Sequence, residues 1–137
     1  MKRRTFLAGV GAGVAGFAGC AASGGPGVGD HDVGMSTDKF LPRRIEVAVG
    51  ETVVWANTSD RPHTVTAYEG SLPDGAPYFA SGGFDSEAAA REGWFDGMGG
   101  AIQSGETYEH TFEVAGEFPY FCIPHEAAQM VGTVVVG

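Results

Sequence analysis

The chain has 137 residues, of which 17 are acidic and 8 are Lys or Arg, for a formal net charge of −9. Cations this few and this dispersed cannot neutralise a run of phosphates, so nucleic acid is excluded as a partner. Acids such as Glu46, Glu51, Asp60, Glu69, Asp74, Asp85, Glu106, Glu109, Glu113 and Glu117 stand singly. That pattern makes a strongly hydrated surface, suited to a salt-loving organism or simply to an acidic secreted protein.

In chain order, Lys2-Arg3-Arg4-Thr5-Phe6-Leu7 precedes small and apolar residues from Ala8 to Gly19. The run is too short for a membrane span, which needs about 20 apolar residues. A charged start, a short apolar stretch and small residues at its end describe an export signal over residues 1–20. The paired arginines resemble a twin-arginine signal, the alternative being an ordinary secretory signal. Phe17-Ala18-Gly19-Cys20 resembles a lipobox in which Cys20 is lipidated, although Phe17 replaces the usual aliphatic residue. A disulfide with Cys122, the other cysteine, is the competing use of Cys20. Acylated Cys20 would hold the mature protein at the extracytoplasmic face of the cell membrane. Removal of Lys2, Arg3 and Arg4 leaves five basic against 17 acidic residues, a net of −12.

Residues 21–38, rich in Gly, Ser, Asp and Ala, read as a flexible tether. His31 and Met35 fall in it and are expected to be solvated, not ligands. Residues 39–137 form one domain whose signals are mostly β. Ile45, Val47 and Val49 alternate with Glu46 and Ala48, Gly50-Glu51 turns the chain, and Thr52 to Ala56 returns. Asn57 to Pro62 is a loop by composition, and His63 to Tyr68 the next strand. Residues 69–103 form an insert in which Asp85 to Gly93 predicts one short helix, capped by Asp85 or Ser86 and ended by Gly93. Trp94, Phe95 and Met98 could cover a site from the insert, but ordinary packing is the favoured expectation. Tyr108, His110, Phe112 and Val114 alternate with polar residues, Ala115-Gly116 reverses the chain into Glu117–Cys122, and Val131–Val136 is a buried terminal strand. Short strands separated by turns predict an all-β, antiparallel sandwich.

The chemistry concentrates in Tyr120-Phe121-Cys122-Ile123-Pro124-His125-Glu126-Ala127-Ala128-Gln129-Met130. Cys122, His125 and Met130, joined by His63, supply one thiolate, two imidazoles and one thioether. Soft sulfur with imidazole selects copper, and two His, one Cys and a weak axial Met make a blue-copper electron-transfer site. Taken singly, each residue has a plainer reading: a buried Cys is usually a small hydrophobe, and a Met after two alanines is usually core. Together, with a proline between Cys and His, they point to one metal. Pro124 has no N–H to offer the sulfur. His125, in mid-loop, is the expected exit for electrons. His110, beside Tyr108 and Phe112, is expected to be a core histidine. No spacing suggests acid–base or nucleophilic catalysis, so no enzyme activity and no small-molecule substrate are expected.

Thr107-Tyr108 through Phe112, the Gly116 turn, Tyr120 to His125 and the Met130-Val131-Gly132-Thr133-Val134 ending resemble the cupredoxin family, with the spacing of its plastocyanin, amicyanin and pseudoazurin branch. The acidity, the lipobox and the Cys-Ile-Pro-His-Glu run are most similar to halocyanins, membrane-attached blue copper proteins of halophilic archaea. The resemblance covers about residues 40–67 and 105–137 and leaves out the insert. It implies a Greek-key β-sandwich and one-electron transfer between transient redox partners. It also implies one type 1 copper held by His63, Cys122, His125 and Met130. Thr64 stands where many relatives have Asn, which implies a weaker side-chain clamp between the two ligand loops. A copper-delivery protein without an electron-transfer role is the alternative. An input module of a larger copper oxidase or nitrite reductase is disfavoured: the length suits one such domain, whereas the reductase needs a second copper site, and Ile123–Ala128 lacks the second Cys of the oxidase's dinuclear centre.

Overall fold

Thr52–Asn57 alternates Val53 and Trp55 inward and is the strand on which the first sheet is built. The computed structural model describes residues 30–137; the export signal at 1–20, Cys20 and the tether up to residue 29 lie outside the described residues. In chain order the strands are β1 (Val33–Met35), β2 (Phe40–Leu41), β3 (Arg44–Val47), β4 (Thr52–Asn57), β5 (Thr66–Ala67), β6 (Thr107–Thr111), β7 (Gly116–Phe121) and β8 (Val131–Val136). The insert carries a 3-10 turn at Glu69–Ser71 and one α-helix, α1 (Glu87–Phe95).

Two four-stranded sheets, ordered β2-β1-β4-β6 and β3-β8-β7-β5, face each other. Trp55, Tyr120, Phe40, Phe112 and Phe118 are the largest side chains buried in the cluster that joins them. The sandwich is the predicted class, but its sheets are mixed. β1 runs parallel to β4 with Val33 opposite Trp55, and β3 runs parallel to β8 with Ile45 opposite Val134. Neither pair is joined by a hairpin, so nothing obliges it to be antiparallel.

The tether ends earlier than expected. Val33 and Met35 are fully buried, and Asp32 exchanges hydrogen bonds with Val54: its N–H donates to the Val54 carbonyl at 2.9 Å and its Oδ2 accepts from Val54 N–H at 2.8 Å. Met35 is thus a core residue and His31 is half-buried near Gly34. Three residues are too few to display a period, so the strand is legible only through its partner.

Ser86 caps α1 by accepting from Ala89 N–H at 3.0 Å, as expected. The helix passes through Gly93, however, and ends at Phe95, with Gly97 at φ +100° beyond it. Gly93 serves packing, since a Cβ there would stand 2.4 Å from the Phe84 ring. The insert also covers the short β5 edge. His63 and Ile102 exchange backbone bonds at 2.7 and 3.2 Å, and Ser81 N–H donates to the Val65 carbonyl at 2.7 Å. Phe95 and Met98 correct a further expectation. Trp94 packs against a second small core, but Phe95 is 80% exposed and Met98 42%.

Candidate metal centre

Three of the four sequence-selected side chains meet at one end of the sandwich. His63 follows the loop after β4, Cys122 follows β7, and His125 lies in the turn of Ile123–Ala128 before β8. His63 Nδ1 and His125 Nδ1 are 3.2 Å apart, and Cys122 Sγ lies 3.5 Å from the first and 3.4 Å from the second. The centre of such a triangle is about 1.9 Å from each corner, close to the roughly 2.0–2.3 Å at which a metal holds imidazole nitrogen and thiolate sulfur. Among the described residues, this is the group of His, Cys and acidic side chains able to hold an ion. Met130 is fully buried at the end of the same turn, and its carbonyl accepts from Cys122 N–H at 3.0 Å.

Burial sets the protonation of the trio in the metal-free chain. The His63 imidazole is lowered to about 4, first by burial and then by the neighbouring His125 ring. Burial also lowers His125. Two neutral imidazoles are therefore ready as ligands at neutral pH. The Cys122 thiol is pushed up to about 11 by burial, against the opposing pull of hydrogen bonds from Thr64 and His125. Cys122 is a free, buried cysteine. A cation at the triangle's centre would reverse that shift and keep the thiolate.

The three candidate ligands are braced from several sides. Thr64 N–H donates to Cys122 Sγ at 3.4 Å, while Thr64 Oγ1 accepts from Ile123 N–H at 2.9 Å. The side-chain clamp between the two loops is therefore present and made by the threonine hydroxyl. The His125 carbonyl accepts from Met130 N–H at 3.2 Å, and His125 N–H donates to the Cys122 carbonyl at 3.2 Å. Ser59 Oγ is 3.0 Å from His63 Nε2. With Nδ1 turned to the centre, Nε2 carries the proton and donates to Ser59, which fixes the ring. Asn57, wholly buried, holds Ser59 in turn: its Oδ1 accepts from Ser59 N–H at 2.9 Å and from the Ser59 hydroxyl at 2.8 Å. Nothing in the ligand spacing singles out Ser59 or Asn57, although Asn-x-Ser has the composition of a side-chain-closed turn.

His63 is fully buried, whereas His125 is partly exposed, with Pro124, Ala127 and Ala128 open to solvent beside it. His110 is remote from this end. It is half-buried on β6, stacked on Phe79 at 4.6 Å and edge-on to Phe112 at 4.7 Å.

Comparison with known proteins gives a consistent set of matches. Residues 30–137 match the family described as copper binding proteins, plastocyanin/azurin family, a span that includes the insert. The chain is 34% identical over 97 residues to plastocyanin of Scenedesmus fuscus, covering 71% of this chain and 85% of that protein. It is 31% identical over 97 residues to the chloroplastic plastocyanin of Tetradesmus obliquus, covering 71% of this chain and 57% of that protein. Among solved structures, a reduced amicyanin variant aligns with TM-score 0.55 and 28% identity, covering 77% of this chain and 79% of that one.

Proposed function

Starting from the fact that the chain belongs to the plastocyanin/azurin family of copper-binding proteins, we propose that it is a one-electron carrier. In this reading its blue copper ion is held by His63, Cys122, His125 and Met130 and alternates between Cu(I) and Cu(II). One observation carries the assignment: two imidazole nitrogens and a thiol sulfur stand 3.2 to 3.5 Å apart, His63 and Cys122 buried and His125 partly so, around a common centre. Copper would supply the redox change. The chain's own part is to hold the ligands still. Backbone and side-chain bonds from Thr64 and Ser59 brace them against movement, which keeps the barrier to electron transfer low. The partly exposed His125 ring, framed by Pro124, Ala127 and Ala128, is the route to a partner.

The partners in this reading are redox proteins, donor and acceptor, met transiently through small contacts. No substrate is bound and no reaction beyond electron transfer is assigned. Export, acylation of Cys20 and attachment to the extracytoplasmic membrane face belong to the proposal, as does the closer likeness to halocyanins. They are supported by the Arg3-Arg4 start, the Phe17-Ala18-Gly19-Cys20 run and the acidic surface. In a medium near 1 M salt the Debye length is about 3 Å, so apolar contact around His125, not long-range attraction, would govern docking.

The test is copper addition to the metal-free chain. An intense visible charge-transfer band and a reversible one-electron voltammogram are expected, and Cys122→Ser should abolish the band. A tightly bound copper with no such band would overturn the assignment. Cys20→Ser should release the protein from membranes, and continued attachment would remove the lipid anchor from the proposal.

A further inference from the structure

The insert helix α1 makes its polar contact with the turn that carries His125 through Arg91. Arg91 donates from Nη1 to Glu126 Oε1 at 2.8 Å and from Nη2 to Glu126 Oε2 at 3.2 Å, a planar two-point grip. Tyr68 donates its hydroxyl to the same carboxylate at 2.7 Å. Glu126 is the residue after His125, and Gln129 N–H donates back to the Glu126 carbonyl at 2.9 Å.

The guanidinium is fixed as firmly as the group it holds. Its Nε donates to Glu87 at 2.9 Å, and its carbon sits 4.3 Å from the centre of the Phe121 ring. Glu87 is itself docked, since Glu87 and Glu69 each accept the other's backbone N–H at 3.0 Å. Ala90 of α1 is buried with Phe121 and Ile123, the residues on either side of Cys122. The turn lacks the continuous ladder of a regular helix. His125 breaks it at φ −124°, ψ 16°, and Gln129 ends it in the left-handed region at φ 66°. Contacts from outside therefore add to its few backbone bonds in setting its conformation.

We propose that Arg91 is a positioning residue for the metal-ligand turn: by gripping Glu126 from the insert helix it sets the orientation of His125. The inference rests on the copper reading of the site, and it gives the insert a role in the redox centre. Arg91→Gln and Glu126→Gln should then perturb the site in the same way. A pair acting by charge alone would behave otherwise. Loss of the Arg91 cation would lower the reduction potential, loss of the Glu126 anion would raise it, and the spectrum would not change.

Two measurements on the full chain test this. In the metal-free protein, amide hydrogen exchange at Gln129 and Met130 should speed about tenfold in Arg91→Gln and in Glu126→Gln, with the β7–β8 ladder unaffected. The double variant should exchange no faster than either single one. Arg91→Lys, which keeps the charge but not the fork, should behave nearly like Arg91→Gln. In the copper-loaded protein, both Gln variants should shift the charge-transfer band and the Cu(II) paramagnetic spectrum in the same direction. Unchanged loop exchange and spectra beside a normal wild-type band would overturn the positioning role and leave the copper site standing. Opposite potential shifts with a constant spectrum, or full rescue by Arg91→Lys, would also overturn it. Absence of the band in the wild type would remove both readings. Should Arg91→Gln not fold, Glu126→Gln carries the same test alone.

Discussion

Replacing Thr64 with Val changes one hydroxyl to a methyl in a residue only 1% exposed, with little change of shape. That hydroxyl accepts from Ile123 N–H at 2.9 Å and lies 3.0 Å from Thr66 Oγ1. In the variant the Ile123 N–H is buried with no acceptor, at a cost of about 1–3 kcal/mol, and the Thr66 hydroxyl loses a bond worth about 1 kcal/mol. Metal-free Thr64→Val should therefore unfold with about 2–4 kcal/mol less stability than the wild type. Thr64→Ser, which keeps the acceptor, should lose about 1 kcal/mol or less. The assay is urea unfolding, read as a lower midpoint at unchanged slope. The backbone N–H of Thr64 still reaches Cys122 Sγ in both variants, so each should still take up copper and show the charge-transfer band. A Thr64→Val protein within 0.5 kcal/mol of wild type, judged against those costs, would refute the view that this hydroxyl ties the two loops together. So would a Thr64→Ser protein as unstable as Thr64→Val.

Three further outcomes follow from the site and the core. Copper uptake near neutral pH should release about one proton per ion, because Cys122 is a thiol raised to about 11 while both imidazoles are already neutral. Calorimetry in buffers of different ionisation enthalpy measures this, and zero or three protons would contradict it. Burial lowers the His110 imidazole. The unfolded chain then binds the extra proton first as pH falls below the usual value of about 6.5, so this contribution to stability is complete above that pH and is lost below it. His110→Phe, which keeps the stack on Phe79, should flatten the acid limb of the stability profile; identical wild-type and variant slopes would remove His110 from the account. Met130→Leu should keep copper but raise the reduction potential, as loss of a weak axial ligand does, and an unchanged voltammogram would take Met130 out of the site.

The sequence made the candidate site legible because its residue types are chemically rare together and mostly close in the chain. Cys122, His125 and Met130 fall within nine residues, and His63 is the histidine that opens the segment after the Asn57–Pro62 loop. The alternating stretches at Thr52 to Ala56 and Tyr108 to Val114 likewise announced β4 and β6. What could not be read depended on distant partners. β1 is a strand because it lies beside Trp55, not because Val33-Gly34-Met35 shows a period. Gly93 looked like a helix stop but is a seat for Phe84. Arg91 stands 35 positions from Glu126, in an insert whose composition gives no hint that it touches the ligand turn.

The most direct test is crystallography of the copper-loaded chain with anomalous scattering at the copper edge, in oxidised and reduced crystals. One copper should lie among His63 Nδ1, His125 Nδ1 and Cys122 Sγ with Met130 beside it, and those atoms should keep their places in both states. Copper found elsewhere, or a ligand swinging away when the metal is reduced, would contradict the account.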